Sequence, residues 1–368
     1  MKLLVFAHTP PPYHGQSFMV GQFLAGLAET PGLELHHVNA RLSIDSADVG
    51  RGRPGKLAAL WQHLAAARRL QRIHRLDTLY YVPAPGRRGA LLRDWLVMAA
   101  LRPRFSRLVL HWHAAGLADW LRARRTSPER ALTRRLLGRS DLSIVLGESL
   151  RGDAEWLLAR RIAVVRNGLP DPWPGFVRPP RNPTAPLQAV FLGLCCREKG
   201  LFDALDGVAL AHRQSISTGG PGVRFAVAGE FPDAGAREAF ATASARAGVT
   251  VQTLGFVHAE TKHRLLAEAD LLVFPTYYPF ETQGLVVAEA LAYDLPVIAT
   301  RWRAVHEGLP ERHVHLVDPR QPGQIAAQIA AIAGEPVPGG SLRAHFLANY
   351  TLERHLAGLR AALASIES

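Results

Sequence analysis

Residues 269–300 read Ala-Asp-Leu-Leu-Val-Phe-Pro-Thr-Tyr-Tyr-Pro-Phe-Glu-Thr-Gln-Gly-Leu-Val-Val-Ala-Glu-Ala-Leu-Ala-Tyr-Asp-Leu-Pro-Val-Ile-Ala-Thr. The pattern is strand, loop, helix, strand. Leu271 to Phe274 is a short apolar run stopped by Pro275, as a buried parallel strand requires. Pro296 opens a second such run, Val297 to Thr300. Between them, Gly284 to Tyr293 is apolar on nearly every face, which predicts a buried helix. Two carboxylates interrupt this setting, Glu281 in the loop and Glu289 inside the helix. A charge in a buried helix is costly unless something pairs with it. Glu289 therefore requires a cationic partner or a ligand rich in hydroxyl donors. The N–H groups of Gln283, Gly284 and Leu285 open the helix and are placed to meet an anion. Acceptors for hydroxyls and donors for phosphate thus meet at one turn, and a nucleoside diphosphate sugar needs both. On spacing alone, a buried glutamate paired with an arginine in an ordinary βαβ unit is the favoured reading.

Taken whole, Phe280 to Ala292 followed by Leu295 to Thr300 closely resembles the donor-site signature of glycosyltransferase family 4. The resemblance implies a retaining enzyme of the α/β GT-B fold. That fold has two Rossmann-like domains, parallel sheets flanked by helices, facing across a cleft. Asp294 departs from the pattern, standing where the family usually has Gly. A helix ends there, and Asp tolerates the left-handed conformation better than most residues.

A length of 368 residues and a hydrophobic content of 48% fit two domains with packed cores. The only cysteines, Cys195 and Cys196, are adjacent, so neither an ordinary disulfide nor a metal site follows from them. A reducing compartment is expected. The apolar run at Lys2 to His8 is too short for a signal peptide, and no run reaches the length of a membrane span. Location is therefore expected to be cytoplasmic. Charge is lopsided. Residues 1–168 hold 26 Lys+Arg and 12 Asp+Glu, a net of +14, whereas residues 169–368 hold 17 and 19, a net of −2. Spread over a surface, such bases only aid solubility. Concentrated in one half, they point to an anionic membrane surface, a lipid pyrophosphate or an acidic glycan. No nucleic-acid motif is present.

From the start, Lys2 to His8 is a strand, Thr9 to Ser17 a loop with one glycine, and Phe18 to Glu29 an amphipathic helix capped by Ser17. One glycine excludes a dinucleotide fingerprint or a P-loop. The resemblance places Gly15 and Gln16 against the donor phosphate or sugar; an ordinary turn glycine is the alternative. Leu33 to Ala40 alternates as a strand, and 41–55 is a polar loop. Helices are expected over Lys56 to Arg75 and Arg87 to Leu101, with a strand over Thr78 to Val82. Ser106 to His113 is a strand that puts His111 and His113 on one face. Ligands gather at the carboxyl ends of such strands. The pair looks like the family's His-x-His facing the reacting sugar, with His113 favoured as a hydrogen-bonding group. Ser127-Pro128-Glu129 starts a helix. Arg122, Arg124, Arg125, Arg130, Arg134, Arg135 and Arg139 make the surrounding segment the most basic in the chain. Strands follow at Leu142 to Gly147 and Ile162 to Asn167, and Asn167-Gly168 resembles the family's close of the first domain.

Residues 169–186 are proline-rich and read as a linker between domains at 1–168 and 187–340. Leu187 to Leu194 is a strand. After it, Gly193, Lys199 and Gly200 match the family's Gly-Arg…Lys-Gly run, but Leu194 replaces the Arg, and nearby Arg197 is the substitute. Strands at Arg224 to Gly229 and Val249 to Leu254 and helices near 234–247 and Glu260 to Ala267 complete the pattern. The turn after Leu254, with Phe256 and Val257, passes the nucleobase in relatives. A strand near His313 to Val317, a helix near Gln321 to Ala333 and a last helix over Leu342 to Ser365 end the chain. In GT-B enzymes the final segment, here 341–368, returns to the first domain.

The resemblance implies a glycosyltransferase moving a hexosyl unit from a nucleoside diphosphate sugar to a glycan or lipid-linked acceptor. His113, Glu281, Arg197 and Lys199 form the expected catalytic set. Gly15, Gln16, Arg197, Lys199, Gln283, Gly284, Leu285 and Glu289 bind the donor, with Glu289 on the ribose. Charge develops on the leaving diphosphate, and fixed cations there lower the barrier. No Asp-x-Asp pair occurs, so no metal or other cofactor is expected. Peripheral contact with the cytoplasmic membrane face is expected from the charge. An epimerase of the same fold and an inactive sugar-nucleotide-binding protein are the rivals. A nicotinamide dehydrogenase is not favoured, since no Gly-x-Gly-x-x-Gly follows any strand.

Overall fold

The computed structural model describes residues 1–11, 14–42, 54–123, 128–335 and 338–367. Most of the expected polar loop at 41–55, and Arg124, Arg125 and Ser127, lie outside the described residues. The chain divides into two compact units, Met1–Asn167 with Leu352–Ser368, and Gly168–Thr351.

The first unit alternates strand and helix: β1 Lys2–Ala7, α1 Gly15–Leu27, β2 Glu34–Asn39, α2 Pro54–His74, β3 Thr78–Tyr81, α3 Arg88–Leu101, β4 Arg107–His111, α4 Leu117–Arg122, α5 Pro128–Leu137, β5 Leu142–Val145, α6 Gly152–Trp156 and β6 Ile162–Val164. The second repeats the plan: β7 Leu187–Leu192, α7 Leu201–Ser217, β8 Val223–Ala228, α8 Ala234–Arg246, β9 Thr250–Gly255, α9 Ala259–Glu268, β10 Leu271–Phe274, α10 Leu285–Ala292, β11 Val297–Thr300, β12 Val314–Val317, α11 Pro322–Gly334 and α12 Ser341–Asn349. The last helix, α13 Leu352–Ala364, belongs to the first unit.

Each unit holds one six-stranded sheet, ordered β2-β1-β3-β4-β5-β6 and β12-β11-β10-β7-β8-β9. All pairings are parallel. Strands covered on both faces must be apolar throughout, and β3, β5, β10 and β11 are buried at every position. These are the two Rossmann-like domains expected from the pattern. Strand order reverses beside the first strand of each sheet, between β1 and β3 and between β7 and β10. Loops leaving those strands at their carboxyl ends line a crevice where ligands bind in such sheets.

Three local expectations change. Ser17 does not cap α1. His14 is the cap residue, its Nδ1 accepting from the Ser17 N–H (3.3 Å) while Ser17 Oγ accepts from the His14 N–H (3.1 Å). Serine thus completes a reciprocal box from inside the first turn. The single helix expected over Leu342 to Ser365 is two, because Tyr350 and Thr351 leave the helical path to pair with Leu169. Last, the proline-rich segment is bound to the second unit along its length. Arg178 donates to the carbonyls of Tyr293 (2.9 Å), Ala269 (2.6 Å) and Leu266 (2.9 Å).

Asp294 has φ 51°, the left-handed conformation expected of it. The carboxylate that glycine would lack has its own task. It accepts from the N–H groups of Gly340 (2.7 Å), Leu342 (2.9 Å) and Arg343 (3.2 Å), capping α12. Arg343 in turn donates to the Ala292 carbonyl (2.6 Å) at the end of α10.

Candidate active site

In the second unit the reversal of strand order brings two loops together, 193–200 after β7 and 275–284 after β10. Their approach is close enough to demand glycine at position 200. Gly200 has φ +77°, and a Cβ there would lie 2.1 Å from the Pro275 carbonyl oxygen. The second loop is fixed from several sides. The Thr300 hydroxyl donates to the Thr276 carbonyl (2.5 Å), Trp302 Nε1 to the Tyr278 carbonyl (2.8 Å), and the Tyr277 N–H to the Glu198 carbonyl (2.8 Å). Side chains carried by these loops are therefore held in place.

Across the gap, Lys199 Nζ donates to Glu281 Oε2 at 2.6 Å. The Thr276 hydroxyl donates to the same oxygen (3.3 Å), and the Thr282 N–H to the other (3.3 Å). The ammonium also lies 5.1 Å from the Tyr278 ring and 5.5 Å from that of Phe274. The pair is nearly dry, with side-chain exposures of 17% and 9%, so its attraction is little screened.

Next in the chain come Gln283, Gly284 and Leu285. Gly284 is the left-handed N-cap of α10 at φ 70°, and Leu285 is its first residue. The Val287 N–H turns back to the Gly284 carbonyl (2.9 Å), and the N–H groups that open α10 carry its positive dipole end. Glu289 lies one turn further on. The cationic partner that its burial demanded is Lys262 of α9, whose Nζ donates to Oε1 at 2.5 Å. Sequence reasoning missed Lys262, since nothing local marks it.

Arg197 does not join Lys199 in this structure. It is exposed, and its guanidinium stacks over the Phe202 ring at 4.1 Å on the α7 side of the turn. Phe256 and Val257 follow β9; the Phe256 ring is half-exposed and packs edge-on against His258 at 5.3 Å. Cys195 and Cys196 are buried free thiols, and burial pushes Cys195 up to about 12, so it is inert at neutral pH.

The first unit gathers imidazoles rather than ion pairs. His111 ends β4 and His113 follows it, their rings 4.2 Å apart on the shared face that strand alternation predicts. His355 of α13 stacks 6.4 Å from His111, and no local signal pointed to it. Gly15 and Gln16 start α1, beside the His14 cap, whose ring lies 4.8 Å from that of His8. Hydrogen bonds set the tautomers. His355 Nδ1 donates to the Arg166 carbonyl (2.7 Å), which leaves Nε2 a bare acceptor. The buried Tyr80 hydroxyl meets His111 Nδ1; with the hydroxyl donating, His111 Nε2 carries the proton. Both Nε2 atoms are buried and have no partner among the described residues. Burial and the neighbouring rings of His355 and His14 push His113 down to about 3. Burial pushes His355 down to about 4, and burial with His113 and His355 holds His111 well below the usual range. The cluster is neutral at pH 7.

Residues 186–335 match the family model described as Glycosyl transferases group 1. No curated protein sequence matches the chain. Among solved structures, a sucrose-phosphate synthase from Thermosynechococcus elongatus is 18% identical with a TM-score of 0.75, covering 100% of this chain and 99% of that one. Anabaena HepE in complex with UDP and glucose is 16% identical, TM-score 0.68, with coverage of 99% and 100%. A UDP-forming α,α-trehalose-phosphate synthase from Burkholderia xenovorans is 12% identical, TM-score 0.71, with coverage of 100% and 99%. The architecture is thus the GT-B fold, as the resemblance read from residues 280–300 implied, and those residues lie inside the matched group 1 domain.

Proposed function

We propose that this chain, a glycosyltransferase of GT-B fold with a group 1 domain at 186–335, moves a hexosyl unit from a nucleoside diphosphate sugar to a glycan or lipid-linked acceptor. The reaction is retaining and needs no metal. The observation that carries this is the dry Lys199–Glu281 pair beside the first turn of α10. Each partner is held where its substrate counterpart belongs. An arriving diphosphate draws Lys199 away from Glu281, and the freed carboxylate accepts hydrogen bonds from donor-sugar hydroxyls. Glu289 likewise exchanges Lys262 for the ribose hydroxyls. The N–H groups of Gln283, Gly284 and Leu285 complete the second unit's donor contacts, with Phe256 and Val257 on the nucleobase side, while Gly15 and Gln16 are assigned to the donor by the family resemblance alone.

In the reaction the bond between the anomeric carbon and the phosphate oxygen breaks, and its electron pair leaves on the nucleoside diphosphate. The acceptor oxygen bonds to the same face of that carbon, and its proton passes to the departing phosphate oxygen. Lys199 and the α10 dipole neutralise the charge that appears, which is what a metal does in other transferases. Arg197 joins them by leaving Phe202. His113 holds a substrate hydroxyl. His111 Nε2 as donor and His355 Nε2 as acceptor supply the complement that neutral hydroxyls need.

Thermal shift with UDP, GDP, ADP and their sugars tests the donor. UDP derivatives come first, because structural neighbours carry UDP or are named for forming it. A ligand at 100 times its Kd stabilises by about 2.7 kcal/mol. No stabilisation by any of them overturns the assignment. An isomerised sugar nucleotide, formed without acceptor, selects the epimerase instead.

Membrane contact through the first unit is part of the proposal. No helix among the described residues is long and apolar enough to cross a bilayer. The neighbouring helices α2, α3 and α5 expose Leu57, Trp61, Leu92, Leu96 and Leu132. The same helices carry nine Lys+Arg against Asp94, which is buried, and Glu129. Apolar anchors among arginines suit an anionic lipid surface. Flotation with anionic liposomes, lost at high salt, is expected; equal binding to neutral vesicles counts against it.

A further inference from the structure

A second cluster of ligating side chains stands at the opposite, amino end of the first sheet. Glu34 begins β2 and His36 follows two residues later on the same face, while His74 ends α2. His36 Nε2 lies 2.9 Å from Glu34 Oε1, and His74 Nδ1 lies 3.7 Å from the same oxygen. The two imidazoles face each other at 3.9 Å between ring centroids. One ligating atom from each of the three residues falls within 4.8 Å of the other two. We propose that Glu34, His36 and His74 form a binding site for a zinc-class transition-metal ion, distinct from the sugar-nucleotide machinery.

The spacing suits such an ion. Zinc takes nitrogen and oxygen ligands at about 2.0–2.1 Å in a tetrahedron, which puts neighbouring ligand atoms about 3.3 Å apart. The measured separations of 2.9 and 3.7 Å bracket that value. Two imidazoles and one carboxylate are the donor set of many three-ligand zinc sites, with a fourth position for water. Imidazole is a poor ligand for magnesium and calcium, so the site discriminates against them. The carboxylate is already oriented: Lys2 Nζ holds the other oxygen, Oε2, at 2.9 Å, leaving Oε1 turned toward the rings. That contact acts as an outer partner fixes a metal-ligating carboxylate. A metal there joins an edge strand to the end of the helix that covers it, and so stabilises the first unit without touching substrate.

The test uses the full chain after chelator treatment. Isothermal titration with zinc chloride at pH 7.5 is expected to give one site, and cobalt(II) the visible d–d bands of a low-coordinate nitrogen–oxygen site. Zinc should also raise Tm. The His36→Ala/His74→Ala variant should weaken binding at least about tenfold, since even outer-partner losses cost that much, and should lose the zinc-dependent rise in Tm. Its own metal-free Tm reports whether it folds, and His36→Gln is the conservative check. Magnesium in large excess should not displace zinc. Unchanged zinc affinity in the double variant, no cobalt bands in the parent, or displacement by magnesium overturns the proposal. None of these readouts depends on glycosyl transfer, so failure here leaves the donor assignment standing, and the reverse.

Discussion

The carboxyl ends of the two sheets handle polarity in opposite ways. The second unit keeps full charges there, paired as Lys199–Glu281 and Lys262–Glu289. The first keeps uncharged rings, His111, His113 and His355, whose burial forbids protonation at neutral pH. Charged pairs suit a partner that arrives charged and can trade places with one member. Neutral rings suit hydroxyls, which give and take one hydrogen bond each. On the proposed function, the same strand–helix plan serves a diphosphate in one unit and hydroxyls in the other.

The harshest test of that contrast is Lys199→Ala. It removes charge where the leaving group forms, so kcat should fall about 10²–10³-fold, read by product chromatography. Glu281 is left buried without its cation, at a stability loss of about 3–5 kcal/mol. The double variant Lys199→Met/Glu281→Gln should regain most of that stability in denaturant melts and none of the activity. Recovered activity would sink the charge-trading account. Glu289→Gln is milder. Losing hydrogen bonds to a charged group, about 1.5–3 kcal/mol, should raise the donor KM about 10–100-fold and leave kcat nearly unchanged.

Acid should single out the histidine side of the contrast. Each ring has a folded pKa below the 6.5 of an ordinary histidine. Between pH 6.5 and about 4 the unfolded chain therefore binds more protons than the folded one. Stability is fully present above pH 6.5 and falls as pH drops, by up to about 1.4 kcal/mol per ring per pH unit. Calorimetric melts of His355→Gln should show a shallower acid limb than the parent; an identical limb would mean that ring is not a buried base. The smallest effect is expected from Asp294→Gly. Glycine suits the positive φ but drops three amide contacts, so a loss of about 1 kcal/mol in Tm analysis should come with unchanged kcat.

Most of the scaffold was legible because strands buried on both faces write themselves as unbroken apolar runs. Leu271 to Phe274 and Val297 to Thr300 are such runs. Glu281 and Glu289 stood out as charges beside those runs, where a lone charge is costly, and Lys199 through its place in the Gly193…Lys199-Gly200 run that resembles the family's. Lys262 did not, because it sits on a half-exposed amphipathic helix that looks like any other. His355 was invisible for a different reason. Its meaning comes from His111 and the Arg166 carbonyl, groups far away in the chain that only tertiary folding delivers. Adjacency did not reveal where Arg197 rests: a single residue separates it from Lys199, yet its guanidinium lies over Phe202. Ser17 misled by preference, since serine outranks histidine as a helix cap, and here the histidine wins by accepting the serine amide.

The helix α13 has a consequence for how the molecule comes into being. Leu356, Leu359, Ala362 and Leu363 pack into the same core as Leu3, Val5, Val20 and Phe23. A ribosome releases the opening residues of this chain long before the closing ones, and most domains fold in that order. Here the unit translated first waits for residues 352–364, beyond the whole of the second unit, before its interior can seal. Until then its apolar seam stays open to water, chaperones and neighbouring nascent chains.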